Sequence, residues 1–127
     1  MGLILFPDDG DITSPDATWS CRSFHDFRYA LAQAEGFALD DMWGFGGERP
    51  WSEVATVLEP LLDHPDVAGD PLTAADCAAI APRLEAIADD WARDRTDGLR
   101  ERHVEDARRL ALVLRFCVEK GVLLLFG

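Results

Sequence analysis

Apolar residues run without interruption at the two ends of the chain and recur at helical spacing between them. Residues 2–6 (GLILF) stop at Pro7, which predicts a short buried strand. Residues 7–16 (PDDGDITSPD) are turn formers throughout and predict a surface loop. A second short strand is expected over residues 17–21. Ser23 then offers an N-cap with Asp26 three residues on, and Phe24, Phe27, Leu31 and Ala34 follow at helical spacing up to Gly36.

Residues 37–50 (FALDDMWGFGGERP) follow no period and predict an irregular loop rich in glycine and aromatic rings. Helical spacing resumes at Trp51, Val54, Leu58, Leu61 and Leu62, with Pro60 expected to kink or split that helix. A second acidic loop occupies residues 64–71. Thr73 and Asp76 form a capping box that opens a helix with Cys77, Ile80, Leu84, Ile87 and Trp91 on one face. Pro82 lies inside that run, so a bend or two shorter helices is expected. A polar connection at 94–97 leads to the last helix.

Residues 99–126 are the stretch around which the rest is expected to pack: a long helix, a single glycine at Gly121, and a strand over residues 122–126. From Leu110 to Val118 only Arg115 interrupts the apolar run, a pattern that predicts a helix enclosed by its own protein. A lone strand leaves its backbone groups unsatisfied, so the strands at the two chain ends are expected to pair. The fold class that follows is mainly helical α+β, a single domain over residues 1–127. Four or five helices surround the C-terminal helix, and a small sheet joins the N- and C-terminal strands.

The chain has 127 residues, enough to bury a core without staples, and at 48% hydrophobic residues disorder is not expected. The longest apolar run, residues 122–126, is too short for a bilayer, which needs about 20 residues. Residues 2–6 have no basic flank and meet Pro7, Asp8 and Asp9 at once, so no signal peptide is expected and a cytoplasmic setting follows. Cys21, Cys77 and Cys117 form no C-x-x-C pair, and the last two fall on apolar stripes as small buried hydrophobes.

The net charge is −12, and its placement matters more than its size. Residues 35–76 hold ten acids against the lone Arg49, whereas from Cys77 onward nine acids meet nine bases. The whole excess lies in the first 76 residues. Such a surface disfavours nucleic acid and favours a basic protein, although charge far from zero also serves solubility alone.

No catalytic or metal signature stands out. His103 and Asp106 share the apolar stripe of the last helix, and a buried imidazole beside a carboxylate is the arrangement of an acid–base pair. The bland reading is a pair that satisfies its own hydrogen bonds, because no nucleophile accompanies it. The acidic loop at 63–76 fails as a calcium loop. With Gly69 at the sixth position, His64, Asp66, Ala68 and Ala75 take the ligand positions, and only Asp66 fits. His25, His64 and His103 lack metal spacing, and residues 44–47 follow no strand and precede no lysine, so neither a metal nor a cofactor is expected.

The loop at 37–50 carries a better argument. Met42, Trp43, Phe45 and Trp51 lie within ten residues, spaced by glycines and flanked by Asp40, Asp41 and Glu48. Aromatic residues rimmed by charge are the composition of a protein-binding patch. The competing reading is that these rings turn inward and plug the core.

The patterns FxxFRxxLAxAEG at residues 24–36, MWGFGG at 42–47, LLDHPD at 61–66, APRLEAI at 81–87 and RFCVEKGVLLLFG at 115–127 span most of the chain. In these the chain resembles a group of small acidic uncharacterised proteins of actinobacteria. The resemblance implies a bacterial, cytoplasmic setting and no mechanism.

The first functional expectation is a non-enzymatic acidic module that binds a basic protein, in the manner of immunity proteins or antitoxins, through Asp40, Asp41, Met42, Trp43, Phe45, Glu48 and Trp51. The second is a small-molecule enzyme or ligand-binding protein with a cleft near His103 and Asp106. The third is a homodimeric structural module, joined by a terminal strand or by the aromatic loop.

Overall fold

The computed structural model describes residues 2–11, 13–63, 70–93 and 98–127. Its elements are β1 (Gly2–Pro7), β2 (Ala17–Ser20), α1 (Cys21–Ala34), α2 (Glu59–Leu62), α3 (Ala74–Arg93), α4 (Gly98–Lys120) and β3 (Leu124–Phe126). Short 3-10 turns stand at Leu39–Asp41 and Trp51–Glu53. The fold is α+β: helices pack on one side of a three-stranded antiparallel sheet in which β1 lies between β2 and β3.

The sheet follows from strand alternation. Leu3 pairs with Trp19, and Leu5 is flanked by Ala17 and Phe126, all five buried on the inner face. Ile4 opposite Thr18 and Phe6 opposite Leu125 point the other way. The two chain ends pair as the apolar runs predicted, and Ile4 and Gly127 exchange two backbone bonds of 2.9 Å. Leu72 bridges to Leu124 through bonds of 3.0 and 2.9 Å and closes the outer edge of β3 there.

The helices α3 and α4 pack along their lengths. Cys77, Ile80, Leu84, Ile87 and Trp91 of α3 meet one core with Ala107, Leu110, Val113, Leu114 and Cys117 of α4. The capping box forms as expected: Asp76 N donates to Thr73 Oγ1 at 3.1 Å and Thr73 N to Asp76 Oδ2 at 3.2 Å. Gly36 and Gly121, with φ of 91° and 66°, close α1 and α4. Phe37 N reaches Ala32 O, and Val122 N reaches Cys117 O.

Five sequence expectations need correction. The first helix begins at Cys21, not after Ser23, because the pairing of Ser20 with Gly2 leaves Ser20 extended, its hydroxyl placed to accept from Ser23 N. The second strand therefore ends at Ser20. The expected helix over 51–63 is reduced to a 3-10 turn and the four-residue α2. Val54 is extended, and Pro60 is tolerated only in a first helical turn. Pro82, by contrast, does not split α3, whose apolar face is held against α4 on both sides of the proline. Finally, α4 is not enclosed all round: Leu112 is 51% exposed and Val118 40%. The expected loops at 64–69 and 94–97 lie outside the described residues.

Candidate functional site

The aromatic loop is built on the buried face of α1. Phe24, Phe27, Arg28 and Leu31 all point into the core. Arg28 is almost completely buried, its guanidinium carbon 4.5 Å from the Phe24 ring centroid and 5.2 Å from that of Phe45. Its Nη1 donates to the Leu62 carbonyl at 3.4 Å. A cation desolvated between two ring faces gains from both, up to about 2 kcal/mol each. One side chain thus ties α1 to the aromatic loop and to the end of α2. Sequence reasoning passed over Arg28, because an arginine on a helix is ordinarily solvated. The available signal was its position: four residues after Phe24 and three before Leu31, inside the apolar stripe.

The loop closes on itself. Trp43 N donates to Arg49 O and Arg49 N to Asp41 O, both at 2.9 Å, while Phe45 N reaches Met42 O at 3.0 Å. Gly47 lies so close to Asp41 that a Cβ there would stand 2.1 Å from the Asp41 carbonyl oxygen. Only glycine fits that crossing.

The structure separates the predicted site residues into two sets. Met42 and Trp51 are buried, and Phe45 packs half-buried on the core. The Trp51 ring meets Phe37 edge-on at 5.9 Å and Phe45 at 6.0 Å, and its Nε1 donates to the Trp43 carbonyl at 3.1 Å. Trp43 instead stands 69% exposed. Asp40, Asp41 and Glu48 are exposed beside it in sequence, and His25 Nε2 lies 3.9 Å from Asp40 Oδ1. Three of the four apolar side chains act as the plug, and the fourth faces water.

His103 and Asp106 occupy different surroundings. His103 is buried between the rings of Phe27, at 6.1 Å, and Trp91, at 5.9 Å. Asp106 is partly exposed and, with Arg109, faces Asp16–Trp19 across a cleft of about 270 Å³. Arg109 Nε donates to the Asp16 carbonyl at 2.7 Å and so covers part of the β2 edge.

Cys77 and Cys117 are buried on facing helices, and Cys21 is partly exposed. Hydrogen bonding to Cys117, followed by burial, pushes the Cys77 thiol far above its usual range, which suits an inert core thiol. Among the described residues, no three His, Cys, Asp or Glu side chains are placed to hold a metal ion, and no helix is long and apolar enough to cross a membrane.

With the fold and this geometry in hand, comparison with known proteins finds no matching protein family, curated protein or solved structure.

Proposed function

We propose that this chain is a non-enzymatic binding module whose Trp43 loop, rimmed by Asp40, Asp41 and Glu48, docks a basic protein, in the manner of immunity proteins or antitoxins. One observation carries the reading: a large ring exposed on a loop that buried Arg28, Met42 and Trp51 hold in place. Exposing a tryptophan forgoes about 1.5–3 kcal/mol of burial. Holding it rigid lowers the entropy cost of docking. The acidic excess of the first 76 residues would steer a cationic partner toward this half of the chain.

Catalysis at His103 and Asp106 is the weaker reading, since His103 packs between Phe27 and Trp91. A homodimer would bring two copies of net charge −12 together, which favours a partner of opposite sign.

The test is affinity capture at low salt on the immobilised chain, with Trp43→Ala as the paired bait. The expected result is a basic protein retained by the parent and released by moderate salt or by the substitution. Recovery of nothing basic, or equal recovery on both baits, would overturn the proposal.

A further inference from the structure

Strand β2 lies at an edge of the sheet, and the register of its neighbour decides which backbone groups that edge leaves open. Ile4 commits both its N–H and its carbonyl to Gly127, at 2.9 Å each. In an antiparallel ladder both groups of one residue point to the same side. Ile4 therefore bonds toward the β3 side, and its pairing with Thr18 carries no hydrogen bond. It follows that Thr18 turns its own N–H and carbonyl outward, away from β1. Asp16, two residues back, faces the same way, and its carbonyl accepts from Arg109 Nε at 2.7 Å. Thr18 is exposed, and neither of its backbone groups has a partner among the described residues.

The open groups border the cleft of about 270 Å³ between β2 and α4, with Thr18 and Trp19 on the strand side and Asp106 and Arg109 on the helix side. Two more polar groups around it are uncommitted. Trp19 is only 5% exposed, and its buried indole N–H has no hydrogen-bond partner among the described residues. A buried donor without an acceptor is costly and marks a place for one. The Asp106 carboxylate, three residues before Arg109, has neither an ion pair nor a hydrogen bond among those residues. A main-chain donor and acceptor, an indole N–H and a carboxylate thus stand unpaired around one cleft.

The complement of an outward N–H and carbonyl on one residue is another extended main chain, which offers a carbonyl and an N–H on one side at the same spacing. We propose that this edge takes an extended peptide segment of a partner protein, added to the sheet as a fourth strand at Thr18, with a basic side chain of the segment on Asp106. Main-chain bonds give such a strand its affinity, and the side-chain contacts select it. Arg109 already does for the Asp16 carbonyl what the added strand does for Thr18. A second copy of this chain would bring another net charge of −12, whereas a basic segment complements that charge. The edge is separate from the Trp43 loop, and the segment binds whether or not that loop docks a partner.

The experiment titrates the acetylated and amidated pentapeptide VTKTV into 15N-labelled protein and follows backbone and indole resonances. Its N-methylated form, which cannot donate from the main chain, and VTETV are the controls. Thr18→Pro removes the outward N–H at a position where an edge strand tolerates proline, and Asp106→Asn removes the carboxylate. The expected result is saturable millimolar shifts at the Thr18 amide and the Trp19 indole. Binding should be weaker by about five-fold or more for both controls and both variants, and unchanged in Trp43→Ala. The N-methylated peptide probes the same bonds in the parent chain, so the outcome stands even if Thr18→Pro fails to fold. No saturable shift, equal binding by either control, or a protein that light scattering shows to be dimeric with its Thr18 amide already protected would overturn the proposal.

Discussion

Arg28 and Trp43 are opposite uses of a costly side chain: a cation buried among rings, and a ring left in water. Removing the guanidinium strips a donor from the Leu62 carbonyl and the clamp from Phe45. Arg28→Ala is therefore expected to lower unfolding free energy by about 2–4 kcal/mol, and Arg28→Lys should recover little of it, because an ammonium has no planar face. Urea titration measures both. Trp43→Ala should change stability by less than about 0.5 kcal/mol, whereas Trp51→Ala should cost about 3–5 kcal/mol. Similar costs at the two tryptophans would mean that Trp43 also belongs to the core. The sequence made the cluster legible, but not which ring faces out. Composition is the same for Trp43 and Trp51; the difference comes from the crossing of Gly47 over Asp41, a contact six residues apart that no periodicity records.

The elements divide by whether their cause is local. The Thr73–Asp76 box and the Gly36 and Gly121 closures depend on neighbours in sequence, and all three were readable. Pro60 was readable as a break in residues 51–63, but Pro82 was not, because its effect depends on what the helix packs against. Around Pro60 the apolar residues are interrupted by extended Val54, and only one helical turn survives. Around Pro82 the packing against α4 keeps α3 a single helix through the missing hydrogen bond. Pro82→Ala is thus expected to stabilise by about 1–3 kcal/mol, read as a higher urea midpoint with unchanged slope. The same helix pair carries an acid-sensitive link. The Arg115 guanidinium, hydrogen-bonded to Glu85, holds that carboxyl below its usual range. Its stabilisation is complete above the unfolded glutamate value of about 4.3 and is lost as pH falls through the lower folded value. Glu85→Gln should therefore flatten part of the loss of stability below about pH 5, in urea midpoints measured across that range. An unaltered acid profile would show the pair to be inconsequential.

At the scale of the molecule, the balanced C-terminal half supplies α4 and most of α3, while the acidic half supplies the aromatic loop and two of the three strands. The meeting of the chain ends was readable because two apolar runs needed partners. The placement of β2 on the far side of β1 was not, since it rests on the register of residues 17–20. The central claim is that the exposed ring and its acidic rim form one docking face. The direct measurement is the dissociation constant of the captured basic partner for the parent chain and for Trp43→Ala, titrated across ionic strength. The expected result is a loss of about 2 kcal/mol, roughly 30-fold, on removing the ring, and affinity that falls steeply with salt for both proteins. Equal affinity for parent and variant, with no dependence on salt, would contradict it.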